Sequence, residues 1–326
     1  MNGTGEQGQV TALIVNIQHF STHDGPGIRT TVFLKGCSLR CQWCCNPESI
    51  SARPELAYNP KLCIGDAACG RCLAICPRQA LSVADADGRI GVDWNSCDDC
   101  GRCVAACPAQ ALHTFGRVMS VADVLAEIEQ DEAFYRESAG GLTLSGGECL
   151  LQPDFCAALL KEAKARGIAT AIETAGNVPW SSMERVLPFV DVMLHDYKLV
   201  DSGEYRRWIG ADNDRIEENF RRAYVGFPRV RFIARIPLLA GINDDETQID
   251  AVLDRIASYS NVTELELLSY HGYGESKYGF IGRERAREEF AAPDADRIAH
   301  LREMASRGLA ERRNPAFAFA RRREAM

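Results

Sequence analysis

The 326-residue sequence has no long hydrophobic run and no excess of positive charge. No segment approaches the roughly 18 apolar residues that a membrane-spanning helix needs, so a membrane protein is not expected. The net charge is −8, whereas nucleic-acid binding needs concentrated positive charge, so a nucleic-acid partner is disfavoured. The first ten residues, MNGTGEQGQV, lack the basic and apolar stretches of a secretory signal. We therefore expect a cytoplasmic protein.

A dinucleotide-binding fingerprint is also missing, because no G-x-G-x-x-G follows the first apolar strand. Cysteine, in contrast, is abundant: the chain has fourteen. Disulfides are rare in the cytosol, so metal ligation is the better interpretation. Eleven of the fourteen cysteines fall into three spaced motifs of three, four and four members. This placement is the strongest functional signal in the sequence.

Strands and helices alternate along most of the chain. Apolar, β-branched segments predict six strands, at 29–35, 142–145, 168–173, 192–196, 230–236 and 262–269. Amphipathic segments predict helices between most of them, one beginning at Ser120, a residue type that caps helices. This alternation predicts an α/β fold with a parallel sheet and right-handed crossovers. Six units suit a partial (β/α)6 barrel, and an open doubly wound sheet is the alternative.

The pattern changes between residues 58 and 116. Cysteine and proline punctuate this stretch, and long periodic segments are missing from it. The sequence therefore predicts two units. Residues 1–57 and 117–326 form the partial barrel, and residues 58–116 form a small inserted module.

The inserted module contains two four-cysteine runs that each end in x3-C-P. This ending and the short gaps are typical of bacterial ferredoxins with [4Fe–4S] clusters, in which the fourth cysteine of each run ligates the other cluster. We therefore expect one cluster on Cys63, Cys69, Cys72 and Cys107, and the other on Cys97, Cys100, Cys103 and Cys76. Two structural zinc sites are the alternative, which the repeated C-P ending disfavours.

The first cysteine motif has only three regularly spaced members. Cys37, Cys41 and Cys44 have the spacing C-x3-C-x2-C directly after the first predicted strand. Three thiolates leave one iron of a cubic cluster open to another ligand, which is typical of a reactive metal site. Cys45 directly follows Cys44, and adjacent side chains seldom turn to one cluster. We therefore predict that Cys45 is not a ligand.

These features together resemble a known family. The C-x3-C-x2-C motif, with Trp43 before its last cysteine, is similar to that of the radical S-adenosylmethionine (SAM) enzymes. With DGPGIRT at Asp24–Thr30 and the two-cluster insert, the chain resembles glycyl-radical enzyme activating enzymes. The resemblance implies three [4Fe–4S] clusters and SAM. It also implies that SAM is cleaved reductively to a 5′-deoxyadenosyl radical, which takes a hydrogen atom from a glycine Cα of a partner glycyl-radical enzyme.

The resemblance also implies an electron donor such as flavodoxin or ferredoxin, and an anaerobic bacterial host. Catalysis is assigned to the open cluster on Cys37, Cys41 and Cys44. Cofactor contacts are implied for Trp43, Gly146, Gly147, Glu148, Glu173, Thr174, Asp196, Lys198, Arg235 and His271. Near Glu173–Gly176, some relatives also hold a monovalent cation. The partner's glycine loop is expected to contact Asp24, Gly25, Pro26, Gly27 and Arg29.

The positions of these motifs agree with a strand–helix barrel, whose active site lies at the C-terminal ends of the strands. Single residues have simpler interpretations: Arg235 as a buried structural ion pair and His271 as a surface histidine. Two other functions stay open. One is a radical SAM enzyme that acts on a small molecule or another peptide site, which DGPGIRT disfavours. The other is an electron-transfer protein, which has no use for an open iron.

Overall fold

The computed structural model describes residues 9–285, 289–312 and 318–319, and within them one large sheet organises the chain. Two small two-stranded sheets accompany it. The strands are β1 (Thr11–Ser21), β2 (Arg29–Leu34), β3 (Glu55–Tyr58), β4 (Leu81–Val83), β5 (Ile90–Val92), β6 (Leu112–Phe115), β7 (Arg117–Ser120), β8 (Gly141–Gly146), β9 (Ala169–Thr174), β10 (Val192–Asp196), β11 (Arg231–Leu238), β12 (Val262–Ser269) and β13 (Ala318–Phe319).

The described residues contain eleven α-helices. They are α1 (Arg71–Ile75), α2 (Arg102–Ala106), α3 (Val121–Ile128), α4 (Glu132–Ser138), α5 (Pro153–Ala165), α6 (Trp180–Val186), α7 (Ser202–Ile209), α8 (Asp214–Gly226), α9 (Glu246–Ile256), α10 (Glu275–Phe280) and α11 (Ala295–Glu311). Of these, α1 and α2 lie among the small sheets, and most of the others connect strands of the large sheet. The prediction of a helix that begins at Ser120 is confirmed. The Ser120 hydroxyl accepts a hydrogen bond from the Asp123 amide at 3.1 Å, and the Asp123 carboxylate accepts one from the Ser120 amide at 2.9 Å.

The large sheet has the strand order β13-β12-β11-β10-β9-β8-β2-β1-β7. From β2 to β13 every neighbouring pair is parallel, whereas β1 is antiparallel to both β2 and β7. The six predicted strands correspond to β2 and β8–β12, so the expected mostly parallel α/β sheet is confirmed. The sequence analysis missed β1, β7 and β13 of this sheet, the helices α4, α7 and α10, and all strands and helices between residues 55 and 115.

The parallel strands are buried on both faces, as their nearly continuous apolar sequences indicate. In β8 the first five residues are buried, and in β2 five of the six are buried. The helices cover the sheet with apolar stripes, for example Val124, Leu125 and Ile128 of α3. Because parallel strands end at the same edge, the loops after β2 and β8–β12 lie together. The residues with an implied cofactor role lie in the second half of these strands or after them.

Residues 55–115 contain the two small sheets, in which β3 pairs with β6 and β4 pairs with β5, both antiparallel. They have a group of buried residues of their own, separate from the main core: Leu56, Tyr58, Cys72, Leu81, Ile90, Cys103, Ala111 and Leu112. The first strand of this region begins three residues before the predicted boundary at residue 58. The division of the chain into two units stays a prediction.

No helix in the described part of the chain combines the length and the apolar character that crossing a bilayer requires.

Candidate active site

A cavity of about 1060 Å³ opens at the carboxyl ends of the parallel strands. Most residues with an implied cofactor role line it, although up to 234 positions separate them along the chain. They are Cys37, Cys41, Trp43, Cys44, Gly146, Gly147, Glu173, Thr174, Asp196, Lys198, Arg235 and His271. Asp24, Gly25 and Gly27 of the expected partner-binding loop line the same cavity.

The three-cysteine loop leaves β2 and is held from two sides by backbone hydrogen bonds. On one side, the Cys37 amide donates to the Ile50 carbonyl at 3.0 Å. On the other side, the Arg40 amide donates to the Ile209 carbonyl at 2.9 Å. The loop is therefore anchored at its first cysteine and again before its second, which limits how far these thiols can move.

Burial raises the pKa of the Cys37 thiol to about 11 and that of the Cys41 thiol to about 12. Burial also raises the pKa of Cys44. For all three thiols the ammonium group of Lys198 acts in the opposite direction and lowers the pKa. Thiolates at these positions therefore need positive charge beside them, which one buried lysine supplies in part and a bound iron cluster would complete.

Lys198 is itself held by the first residue of its D-x-K motif. Its Nζ lies 2.8 Å from Oδ2 of Asp196, and both side chains are largely buried. Burial lowers the pKa of Lys198, but the carboxylate of Asp196 and the thiolate of Cys41 raise it more, and the net shift is upward. The lysine therefore stays charged beside the three thiols at neutral pH.

A second ionic group forms another part of the cavity wall. The Arg235 guanidinium, which is 4% exposed, donates to Glu173 at 2.7 Å and to Glu266 at 2.7 Å. It also donates to the backbone carbonyl of His23. On its other side, Glu173 accepts a hydrogen bond from the Ser145 hydroxyl at 2.6 Å. These contacts tie four strands and the loop after β1 together at the end of the sheet that carries the cavity.

Glu148, which the resemblance assigns to cofactor binding, does not line the cavity. It is 2% exposed and lies behind the cavity wall. Its carboxylate accepts hydrogen bonds from the Thr174 hydroxyl at 2.7 and 2.8 Å and from the Ala175 amide at 3.2 Å. Burial raises its pKa. Glu148 therefore links the loop after β8 to the loop after β9.

Gly146 and Gly147 allow close backbone packing, but the packing is against protein. A Cβ at Gly146 would lie 2.1 Å from the Leu34 carbonyl oxygen, and one at Gly147 would lie 2.3 Å from the Gly36 carbonyl oxygen. In addition, the Glu148 amide donates to the Gly36 carbonyl at 2.8 Å. The two glycines thus bring the loop after β8 directly against the start of the cysteine loop.

The DGPG loop, residues Asp24–Gly27, is held in place by hydrogen bonds to buried polar groups. Asp24 accepts hydrogen bonds from the Thr31 hydroxyl, at its carboxylate, and from the Thr143 hydroxyl, at its carbonyl, both at 2.7 Å. Arg29 is 1% exposed, and burial lowers its pKa to about 10. Its side chain donates to Thr143 and to strand carbonyls, not into the cavity. Pro26 does not line the cavity either.

Replacing Gly27 by alanine should displace the DGPG loop, because a Cβ there would lie 2.5 Å from backbone atoms of Gly140 and Ser138. Gly241 is a matched control: both glycines have φ +72°, but a Cβ at Gly241 meets nothing within 4 Å. Gly241→Ala should lower the free energy of unfolding by only about 1–2 kcal/mol, the strain of left-handed backbone. We expect a clearly larger loss for Gly27→Ala in urea unfolding. Equal losses would contradict the close approach.

Aromatic rings line another side of the cavity. Trp43 is 6% exposed and packs against Trp208 and Phe290, with ring centroids 6.3 and 6.0 Å away. The His271 ring stacks on Tyr273 at 4.7 Å. Tyr273 also lines the cavity and is 86% exposed, so this stack lies where the cavity meets solvent.

Three residues that hold the site were missed in the sequence analysis. Glu266 pairs with Arg235 across neighbouring strands in register, and its signal was a charged residue inside an apolar strand. The Tyr278 hydroxyl donates to the Cys44 carbonyl at 3.0 Å. Lys277 donates to Glu48 at 2.5 Å. The last two lie on α10, which carries no motif, so no local signal indicated them.

The cysteines of the insert form two groups. Cys76, Cys97, Cys100 and Cys103 line one small cavity together. Around Cys72, burial and then the thiolates of Cys107, Cys69 and Cys63 raise the pKa, so these four lie near one another. Each group takes its fourth cysteine from the other run. Within the described residues, no three His, Cys, Asp or Glu side chains are grouped around a position for a single metal ion.

Comparison with known proteins identifies the family. The sequence profile of the Radical SAM superfamily matches residues 31–251. An isethionate sulfite-lyase activating enzyme from Desulfovibrio desulfuricans is 48% identical over 83% of this chain and 87% of its own length. The chain belongs to the radical SAM superfamily, among the glycyl-radical enzyme activating enzymes. Membership implies a [4Fe–4S] cluster and SAM as cofactors.

Other activating enzymes of the family are nearly as similar. A (2S)-3-sulfopropanediol sulfolyase activating enzyme from Bilophila wadsworthia is 44% identical over 88% of this chain and 94% of its own length. A benzylsuccinate synthase activating enzyme from Thauera aromatica is 41% identical over 91% of both chains. These radical SAM relatives are thus named for partners of different chemistry.

Proposed function

We propose that this protein activates a glycyl-radical enzyme by cleaving SAM reductively and removing a hydrogen atom from a glycine Cα of that partner. The observation that carries the proposal is the cavity shared by Cys37, Cys41 and Cys44 with the DGPG loop. This arrangement joins a three-thiol site to a segment for the protein substrate. When bound, the cluster and SAM supply the electron and the carbon radical that takes the hydrogen atom.

The donor set fits a cluster with one open iron. Cys37, Cys41 and Cys44 are the three thiols that would hold it, and Lys198 offsets part of the charge of their thiolates. The thiol of the neighbouring Cys45 donates to the His271 carbonyl at 3.2 Å, so it is already engaged. The iron without a cysteine ligand would bind SAM.

The chain's own residues position and shield the reactants. Glu173, Asp196 and Arg235 present fixed charges along the cavity wall, where the polar groups of SAM and a monovalent cation would bind. Gly25 and Gly27 leave the mouth of the cavity free of side chains at two positions, which suits entry of a glycine-bearing peptide. Trp43 and its aromatic neighbours exclude water from the side next to the thiols.

The remaining parts of the proposal concern architecture and partners. The large sheet with its helices is a partial (β/α)6 barrel, and residues 58–116 are a ferredoxin-like insert with two further [4Fe–4S] clusters. The grouping of Cys76 with Cys97, Cys100 and Cys103 supports the exchange of fourth ligands between the two runs. The chain acts in the cytoplasm of an anaerobic bacterium, with flavodoxin or ferredoxin as its electron donor.

Isethionate sulfite-lyase is the first partner to test. Three relatives named for that partner are 48%, 45% and 43% identical to this chain. The stretch from Asn16 to Cys37, NIQHFSTHDGPGIRTTVFLKGC, also resembles the corresponding stretch of activating enzymes for that partner. The sulfopropanediol sulfolyase and benzylsuccinate synthase are the next candidates, because their activating enzymes are 44% and 41% identical.

The test combines the anaerobically reconstituted protein, a strong reductant and SAM with each candidate partner. We expect a glycyl-radical doublet in the EPR spectrum with one partner and none with the others. The control is the same partner with its radical-bearing glycine replaced by alanine, which must give no doublet. SAM cleavage without a doublet in any partner would contradict the activase function and favour a small-molecule or other peptide substrate. No cleavage at all would favour the electron-transfer alternative.

A further inference from the structure

The inserted module consists of two halves that repeat the same chain pattern. In each half a strand ends five residues before the first cysteine, at Tyr58 and at Val92. The residue after each strand then donates its amide hydrogen to a carbonyl of the other half. Asn59 donates to Ala111 and Asp93 donates to Ala80, both at 2.8 Å. Each acceptor lies four residues after the last cysteine of its run. The halves are therefore related by an approximate two-fold symmetry.

The symmetry is broken beside the first cysteine of each run. Tyr58 has a hydroxyl, whereas its counterpart Val92 has none. The Tyr58 hydroxyl is buried and has no hydrogen-bond partner within the described residues. Cys63 packs against the group of buried residues that contains Tyr58, and its thiol lies next to the Tyr58 hydroxyl.

A buried hydroxyl without a partner is unusual, because buried polar groups nearly always form hydrogen bonds. A neutral thiol is a weak acceptor, whereas a cluster-bound thiolate is a better one. The orphaned hydroxyl therefore fits Cys63 as a cluster ligand, since the bound sulfur would accept its hydrogen bond.

The two halves also differ in charge directly after the first cysteine of each run. Asp98 and Asp99 directly follow Cys97. The Asp98 carboxylate accepts a hydrogen bond from the Cys100 amide at 3.3 Å, and the Asp99 carboxylate accepts one from the Leu56 amide at 2.8 Å. The counterparts of these two acids in the first run are Ile64 and Gly65, which carry no charge.

We infer that the Tyr58 hydroxyl donates a hydrogen bond to the Cys63 sulfur and makes the cluster on Cys63, Cys69, Cys72 and Cys107 the more easily reduced of the two insert clusters. This inference rests on the insert clusters of the proposed function. One-electron reduction by the external donor adds one negative charge to a cluster, and no bond to protein forms or breaks. Hydrogen-bond donors at the sulfurs stabilise that charge, whereas nearby carboxylates oppose it.

The test is a potentiometric titration followed by EPR. It uses the full-length chain with Cys37, Cys41 and Cys44 replaced by alanine, so that only the insert clusters titrate. We expect two separate reduction steps. Adding Tyr58→Phe should move the higher step to a more negative potential and leave the lower step unchanged. Phenylalanine keeps the buried ring, so a purely structural role of Tyr58 would move neither step.

The matched variant acts on the other half. Asp98→Asn with Asp99→Asn should move the lower step to a more positive potential and leave the higher step unchanged. Cys100 is exposed, and solvent near it favours reduction of this second cluster. The shifts caused by the variants therefore test the effects of the Tyr58 hydroxyl and of the two carboxylates, which the order of the steps alone does not.

Two results would overturn the inference. One is a Tyr58→Phe variant with full iron content whose higher step stays in place, or whose lower step moves instead. The other is an iron content well below about eight per chain before any insert variant is made, from two clusters of four irons. That second result would remove the insert clusters but leave the proposed activation intact. SAM cleavage by the chain with its native cysteines tests the activation separately.

Discussion

Replacing Cys41 by alanine is expected to abolish SAM cleavage while the insert clusters remain. Cys41 lies between Cys37 and Cys44 in the motif, and all three line the central cavity. Two thiolates hold a cubic cluster poorly, so iron content should fall from about twelve to about eight per chain, the loss of one cluster of four irons. Iron analysis and measurement of 5′-deoxyadenosine release under strong reductant check both parts.

Cys45→Ser is the control for this experiment, because Cys45 lines the same cavity next to Cys44. Its thiol donates to the His271 carbonyl at 3.2 Å, and serine keeps a donor for that contact. We expect this variant to keep about twelve irons per chain and to cleave SAM. Loss of the first cluster in Cys45→Ser would show that the motif has four ligands. Cleavage that survives in Cys41→Ala would show that the open-cluster assignment is wrong.

Replacing Arg235 by methionine should lower the free energy of unfolding by about 3–5 kcal/mol. The change leaves two largely buried carboxylates, Glu173 and Glu266, without the positive charge that each contacts at 2.7 Å. Burial already raises the pKa of Glu173, and Arg235 is the main group that lowers it again. Urea unfolding of the cluster-loaded chain, followed by circular dichroism, measures the loss.

Arg231→Met on the same strand is the matched control. Arg231 forms an ion pair with Glu264 of the neighbouring strand, as Arg235 does with Glu266, but the Arg231 side chain is 41% exposed. Solvent screens such a pair, and its loss should lower the free energy of unfolding by no more than about 1 kcal/mol. If both variants lost the same amount, burial would not be what makes the Arg235 group important.

These contacts bear on the question of whether Arg235 contacts the cofactor or only forms a structural ion pair. The sequence left two interpretations, a cofactor contact or a buried structural ion pair. The ion pairs are present, and the residue also lines the cavity. The stability measurement tests the first property, and a rise in the KM for SAM in the Arg235 variant would test the second.

Local patterns in the sequence were sufficient for much of the fold. Each of the six predicted strands is a short apolar segment next to a turn or an amphipathic helix, and the structure contains all six as parallel neighbours. The strands β1 and β7 were missed, although β1 is eleven residues long. In the second half of β1, partly buried residues alternate with exposed ones, and two of the four residues of β7 are exposed. Neither strand therefore has the continuous apolar pattern of the central strands.

The sequence by itself determined which residues could carry the chemistry, because cysteine spacing depends only on neighbours within a few positions. It identified the three-cysteine motif, the two ferredoxin-type runs and the family. Tertiary structure alone decided what Glu148 and Arg29 contact. Glu148 is predicted to contact the cofactor and Arg29 the partner, and in the structure their side chains hold neighbouring loops and strands together.

The same holds for Glu266 and Tyr278, whose contacts join residues that are distant along the chain. A hydrogen bond or an ion pair depends on distances of about 3 Å. Such distances arise from packing of the whole sheet and its loops, and no local pattern of residue types records them.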